Sequence, residues 1–344
     1  MSTKIRVVFD ASAKSTTGIS LNDVLMQGPT IQHDLVSILL RFREHKYVLI
    51  ADLEKMYRQV YVNPDHTNML RFFWRKNLND PVRIYRLLTV NFGLKPSPFQ
   101  AIRTVHQLAM DERSNFPLAS EVALRDFYVD DLMSGKDSIS EAKSLRDQLN
   151  QMFTRGGWNL VKWASNDPRL LDGLQSVSTE DQSKRVISFT SDEKIKTLGM
   201  KYSPFHDVFL ISNIFTEGDF SKNKISKRKI LSETSKIFDP LGLISPIVIN
   251  AKLLIQRLWE LKLDWDESVP QAIFSEWMKF CFDASKLSQL FIPRHVISKN
   301  ESSVELHGFS DASTRAFGAC IYLRSIEKNG DVVCNLLTSS SSHR

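Results

Sequence analysis

A chain of 344 residues, 42% hydrophobic and 24% charged, has the composition of a globular protein with roughly two or three domains, which excludes a disordered chain. Its 45 Lys and Arg against 39 Asp and Glu leave a net charge of +6, compatible with a polyanionic partner but not proof of one. The cysteines Cys281, Cys320 and Cys334 are far apart and form no CxxC or Cys/His pattern, which argues against a disulfide framework and a zinc site. With no apolar run of about 18 residues and no signal peptide at the start, a soluble intracellular chain without a membrane partner is expected, cytoplasmic or in a particle or nucleus.

Arg6-Val7-Val8-Phe9 is strand-like and lies close to the start. Tyr47-Val48-Leu49-Ile50-Ala51-Asp52 is a short apolar run that ends in an acid, so a buried strand is predicted there. Residues 69–74 and 82–88 flank a turn-rich loop and predict a hairpin. From Pro98, the recurrence of Phe99, Ile102, Val105, Leu108 and Ala109 predicts a helix with proline in its first turn. Phe127-Tyr128-Val129 and Leu132-Met133 are divided by Asp130-Asp131, a hairpin with adjacent acids at its turn.

Ala142, Leu145, Leu149, Met152 and Phe153 mark a second amphipathic helix, ended by Gly156-Gly157. Residues 196–202 and 208–212 read as a hairpin, and 224–285 as largely helical, with breaks at Asp239-Pro240-Leu241-Gly242 and around Pro270. Strands return near Val304, and 332–337 reads as a last strand with nothing after it to pair with, followed by the low-complexity run Ser339 to Ser342. Both ends look cut. The order describes an α+β unit, an antiparallel sheet with helices on one face.

Asp52 and the Asp130-Asp131 pair stand out because each lies where a strand ends. Adjacent acids in a turn are often only turn chemistry, since Asp favours such sites. Yet like charges that close repel unless a countercharge is present, and a divalent cation supplies one. Two such cations at one sheet edge can activate a hydroxyl and stabilise a leaving pyrophosphate.

Tyr128-Val129-Asp130-Asp131 matches the YxDD box of reverse transcriptases. Asp52 followed five residues later by Tyr57 resembles the first palm motif of that family, and Asn91-Phe92-Gly93-Leu94-Lys95-Pro96-Ser97-Pro98-Phe99-Gln100 resembles the motif between them. The order and separations agree for all three. The stretches 9–12, 20–25, 162–166 and 239–246 are similar to the BEL/Pao group of long-terminal-repeat retrotransposons, and the resemblance covers roughly residues 4 to 325.

This resemblance implies an RNA-directed DNA polymerase segment of a retrotransposon polyprotein, with an α+β right-hand fold and a ferredoxin-like palm. Partial fingers are expected over 1–46, a palm over 47–215 with a fingers insertion at about 61–90, a helical thumb and connection over 216–298, and a truncated RNase H-like α/β start over 299–344. Asp52, Asp130 and Asp131 would hold two Mg²⁺ ions (or Mn²⁺), and Lys162 would donate a proton to pyrophosphate. Arg6, Tyr57, Phe92 and Gly93 would bind the nucleotide, Tyr57 as the gate against a 2′-hydroxyl, and Leu198-Gly199-Met200 would form the primer grip. Partners would be an RNA template, a DNA primer or duplex, deoxynucleoside triphosphates and the rest of the polyprotein.

Lys222, Lys224, Lys227, Arg228 and Lys229 form a basic run that could follow duplex phosphates or be a solvated helix face. Asp311, in Glu305-Leu306-His307-Gly308-Phe309-Ser310-Asp311, resembles the first acid of an RNase H site, but Glu327 and Asp331 read as belonging to a turn directed away from it. No cleavage of hybrid RNA is therefore expected, and residues from about 300 onward are expected to be loosely held. An inactive retroelement remnant is the alternative. An aspartic peptidase would need Asp-Thr/Ser-Gly, which the chain lacks.

Overall fold

The computed structural model describes residues 8–174, 186–187, 189–190, 194–211, 215, 225–298 and 301–343. Its centre is a four-stranded antiparallel sheet in the order β4-β5-β1-β6, made of β1 (Tyr47–Leu53), β4 (Phe127–Tyr128), β5 (Asp131–Lys136) and β6 (Leu160–Ala164). The apolar run of β1 is continuous because both faces are covered. Leu49, Ala51 and Leu53 point into one core and Val48 and Ile50 into another, as the period of two requires.

The first core is closed by α3 (Ser97–Asp111), α4 (Pro117–Arg125) and α5 (Ile139–Arg155). Leu145, Leu149, Met152 and Phe153 of α5 are fully buried there, each worth on the order of 2 kcal/mol in area removed from water. Ser138 caps α5 by accepting from the Glu141 amide, and Gly157, at φ +78, takes the left-handed position after its end.

The second core lies under the opposite face. Here α2 (Leu35–Glu44) lays Ile38, Leu39 and Phe42 against the sheet, with Asp34 capping it through the Ser37 amide. Sequence reading passed over α2 although its stripe has helical spacing, and passed over α4, which is nine residues long. A second antiparallel sheet, in the order β10-β9-β8-β7, adds Ile195, Met200, Tyr202 and Phe209 to this core. Its strands are β7 (Ile195–Thr197), β8 (Met200–Ser203), β9 (Val208–Leu210) and β10 (Phe291–Pro293).

The segment expected as one strand over 196–202 is thus split. Leu198 and Gly199, at φ +48 and +82, form a tight turn between β7 and β8. Two consecutive left-handed residues cannot continue a strand, so the pairing folds back.

A two-stranded ribbon of β2 (Arg71–Trp74) and β3 (Arg83–Arg86) lies within the expected hairpin. The expected strand over 6–9 is not seen at its described residues, Val8 and Phe9, which are irregular; Arg6 lies outside the described residues. The helical region contains α6 (Lys227–Thr234), α7 (Ser245–Glu260) and α8 (Gln271–Ser285) around Ile230, Leu254, Leu258, Ile273 and Trp277, broken where the sequence predicts.

The last unit is an antiparallel sheet of β11 (Glu301–Ala312), β12 (Ala316–Glu327) and β13 (Val332–His343). The final strand does not stop at Leu337. The serine run continues it, with Ser339 opposite Cys320 and Ser342 opposite Phe317, and it docks back on the helical region where the Ser339 amide donates to Leu241 O at 2.9 Å. Serine is neutral enough in a strand for its partners to decide the outcome.

Candidate active site

The register of the central sheet sets Asp52 directly opposite Asp131. Tyr128 pairs with Asp131, so Val129 and Asp130 form a two-residue turn. Val129 sits at φ +57, a costly conformation for a β-branched residue, on the order of 1–3 kcal/mol. The Leu53 amide donates to Asp130 O at 2.8 Å and holds the turn against the end of β1. Three carboxylates from two chain segments therefore meet at one sheet edge. Burial, and then the charges of Asp130 and Asp52, push the Asp131 carboxyl up to about 6, against the pull of Lys162 and of a hydrogen bond from the Leu198 backbone.

Lys162 is brought in by an irregularity. The β1–β6 register slips between Ile50 and Asp52, and Lys162 takes φ +56. Its Nζ donates to Asp52 Oδ2 in a close ion pair. Among the described residues, no three His, Cys, Asp or Glu side chains are gathered tightly enough to enclose a metal ion. The donor chemistry nonetheless suits a hard divalent cation, since all the groups are carboxylate oxygens, and burial followed by the Asp130 and Asp52 charges raises the Asp131 value. A cation binding here competes with the Lys162 ammonium for Asp52.

Tyr57 follows β1 in a short 3₁₀ turn, Met56–Gln59. Its ring packs on Phe92 at 5.0 Å between centroids and 54° between planes. Burial and then the Asp130 charge raise its hydroxyl pKa, so the ring is half-buried within the field of the carboxylates. Phe92 is partly exposed.

Gly93 has φ +92, and a β-carbon there would run into the Phe9 carbonyl oxygen. Only glycine lets the segment 91–95 lie against the N-terminal strand-like segment. Asn22 completes the contact: its Nδ2 donates to Gly93 O at 2.9 Å, and its Oδ1 accepts from the Lys95 amide at 2.9 Å. Asn22 was not singled out from sequence, although it sits within the stretch 20–25 that carries the resemblance. The Leu198–Gly199 turn approaches from the other side, its Leu198 backbone near enough to pull the Asp131 pKa down slightly.

The site thus gathers Asp52, Asp130, Asp131, Lys162, Tyr57, Phe92, Gly93 and the turn before Met200, while Arg6 lies outside the described residues. Asp311 is elsewhere, near the end of β11 and exposed, opposite Gly318, with its Oδ1 accepting only the adjacent Ala312 amide at 2.8 Å. Glu327 is turned to Ser298, and Asp331 to its own hairpin turn.

The described members of the basic run each have an internal partner. Lys227 is buried with Nζ 3.5 Å from the Trp259 ring centroid, Arg228 pairs with Asp266 at 2.7 Å, and Lys229 pairs with Glu233 at 2.7 Å. Lys222 and Lys224 lie outside the described residues.

A junction that sequence reading could not find lies by the start of β1, away from Asp52. Arg294, fully buried, pairs with Asp207 at 2.6 and 2.9 Å and donates to Phe42 O at 2.6 Å and His45 O at 2.7 Å. The partners are separated by 87 and about 250 residues, and no local pattern encodes such a pair.

This architecture is that of a reverse transcriptase-like α+β chain with an RNase H-like region at its C-terminal end. Two solved structures resemble it over nearly its whole length. One is a foamy viral protease–reverse transcriptase (dRH) in complex with double-stranded DNA, at TM-score 0.59 and 15% identity, covering 98% of this chain and 49% of that one. The other is a foamy viral protease–reverse transcriptase in complex with an RNA/DNA hybrid, at TM-score 0.56 and 13% identity, covering 94% of this chain and 37% of that one. The chain therefore spans about half or less of the length of these proteins. A family model described as "Pao retrotransposon-like RNaseH-like domain" matches residues 226–343 and so ties that part of the chain to retrotransposon proteins. No curated protein sequence matches.

Proposed function

We propose that the chain is the RNA-directed DNA polymerase segment of a BEL/Pao-type retrotransposon polyprotein, adding deoxynucleotides to a primer on an RNA template. The observation that carries this reading is the placement of Asp52 opposite Asp131 with Asp130 in the adjoining turn, beside the Tyr57–Phe92 pair. The solved relatives, held on double-stranded DNA and on an RNA/DNA hybrid, support the same choice of partner. In this reading 1–46 and about 61–90 are fingers, 47–215 is palm, 216–298 is thumb and connection, and 299–344 begins an RNase H-like domain.

Asp52, Asp130 and Asp131 would hold two magnesium ions, or manganese, which when bound supply Lewis-acid activation of the primer hydroxyl and charge for the pyrophosphate. The side chains do the rest. The Tyr57 ring, braced by Phe92, bars a 2′-hydroxyl from the sugar position. Gly93 keeps the backbone flat where base or template approaches. Lys162, once released from Asp52, would hand a proton to the departing pyrophosphate.

The test is single-nucleotide addition to a DNA primer annealed to an RNA template, with the templating base varied through all four. The reading expects the complementary deoxynucleotide to be added each time. Addition that ignores the template base, or no addition while the duplex is bound, contradicts it.

A further inference from the structure

The turn that lies beside Asp131 is itself held by a residue far along the chain. Leu198 at φ +48 occupies a conformation that non-glycine residues avoid, so the turn needs outside support. Gly199, at φ +82, has the ring of Phe238 laid against it: a β-carbon at Gly199 would stand 2.7 Å from Phe238 Cε1 and 2.8 Å from Cδ1. Glycine is required here both by its backbone angle and by the ring that fills the space its side chain would take.

Phe238 is 48% exposed, which is unusual for a phenylalanine on so constrained a segment. Behind it, the Asp239 carboxylate accepts from the Leu243 and Ile244 amides, both at 2.8 Å, and knots the loop. Leu241 and Leu243 sink into the core that also contains Ile50 and Met133, neighbours in the strands that carry Asp52 and Asp131. At Gly242, whose missing β-carbon would strike the Ser339 carbonyl, β13 closes over the loop. The loop is thus fixed to the sheet and to the last strand, and Phe238 is the part of it that faces the turn.

We propose that Phe238 is a positioning residue for the polymerase centre. Its ring clamps the Leu198–Gly199 turn so that the turn keeps its place beside Asp131, and it thereby sets where the primer 3′ end rests. This rests on the reading of 198–200 as the primer grip under the proposed function. Phe238 touches no reacting atom. It acts through the turn, and that turn meets the site beside Asp131.

The experiment uses the full chain and the variants Phe238→Ala, Phe238→Leu and Phe238→Tyr. Amide hydrogen exchange at Leu198 is measured against β1 amides, alongside kcat and KM for one deoxynucleotide. In Phe238→Ala, Leu198 exchange rises about tenfold or more while β1 amides hold their rates. In the same variant kcat falls about tenfold or more with KM for the nucleotide unchanged, since a turn displaced by a fraction of an ångström misplaces the primer but not the triphosphate. Phe238→Tyr, which keeps the flat ring, restores both.

Phe238→Leu, apolar but without a flat face, repeats the defect and serves if the alanine variant does not fold. Wild-type exchange at Leu198 in both the alanine and leucine variants overturns the assignment. So does faster exchange at every palm amide alike, or faster exchange at Leu198 with kcat unchanged. If the wild-type chain adds no nucleotide, the polymerase reading falls, and exchange at Leu198 alone then decides whether Phe238 clamps the turn.

Discussion

Replacing Arg294 with methionine should be among the most damaging single changes in the chain. The guanidinium is wholly buried and holds three groups: the Asp207 carboxylate through two bonds, at 2.6 and 2.9 Å, and the carbonyls of Phe42 and His45 at 2.6 and 2.7 Å. Asp207 also accepts from the Tyr202 hydroxyl at 2.7 Å, and Arg43, packed behind, donates to the Arg294 and Pro293 carbonyls at 3.1 Å each and to Leu337 O at 2.5 Å. One pair thus ties α2, the β8–β9 turn, β10 and β13 together.

Methionine fills part of the volume but leaves a carboxylate and two buried carbonyls without their donor. Breaking one side of a buried pair in this way costs about 3–5 kcal/mol. Asp207 keeps some solvent contact, which places the expectation at the lower end of that range.

The assay is urea unfolding followed by far-ultraviolet circular dichroism, comparing Arg294→Met, Asp207→Asn and the double variant. Asp207→Asn removes charge with little change of shape, and asparagine suits the φ of +54 at that position. The double variant should be less unstable than the sum of the singles by about 1–3 kcal/mol, the signature of a direct interaction. A loss below about 1 kcal/mol for Arg294→Met, within the range of ordinary surface changes, would refute the argument that this pair holds the segments together.

Tyr57→Ala should raise ribonucleotide incorporation relative to deoxynucleotide by about one to three orders of magnitude in single-turnover assays, because each tenfold corresponds to about 1.4 kcal/mol of lost clash; an unchanged ratio makes Tyr57 only a packing partner of Phe92. Gly93→Ala forces a left-handed backbone and a collision with the Phe9 carbonyl, so it should lower the thermal midpoint and weaken nucleotide binding, and a midpoint equal to wild type would show that the N-terminal segment does not seat there. Burial holds the His45 and His295 pKa values below the ordinary histidine value, with neighbouring carboxylates opposing it. Their contribution to stability is complete above about pH 6.5 and is lost as the pH falls from there through the lower folded-state values, where the unfolded chain takes up the protons first. Replacing both with glutamine should flatten the urea midpoint between about pH 7 and 5, and an unaltered slope would assign that dependence to other groups.

The elements that sequence reading located share a cause: their pattern is local. The run from Tyr47 to Asp52 is apolar on both faces and ends in an acid, so β1 and the carboxylate near its end are visible in six letters. The stripes of α3 and α5 are equally plain, with Pro98 and Gly157 near their ends. The meeting of Asp52 with Asp130-Asp131 was available only through the resemblance, since nothing local pairs a strand at 52 with a turn at 130.

The rest depends on contacts between distant parts of the chain. The serine run becomes a strand because β12 offers it a partner and the loop at Leu241 a second edge. The split at Leu198–Gly199 depends on two left-handed residues, one of them a leucine whose conformation the sequence does not announce. The basic run at 227–229 leaves a phosphate surface and a solvated helix face both open from charge alone, and its partners Trp259, Trp265, Asp266 and Glu233 come from within the same helical unit. Arg294 and Phe238 fall in stretches with no periodic signal, and their roles follow from where the fold puts them.

The central claim is that Asp52, Asp130 and Asp131 form one polymerase centre, and it is tested most directly by single-turnover primer extension with Asp130→Asn beside wild type. Duplex dissociation constants are measured in the same samples. The account predicts that the wild-type chain extends the primer in Mg²⁺, that the asparagine variant loses extension by about a thousandfold or more, and that both bind the duplex alike. Extension by Asp130→Asn at a rate near wild type would contradict it.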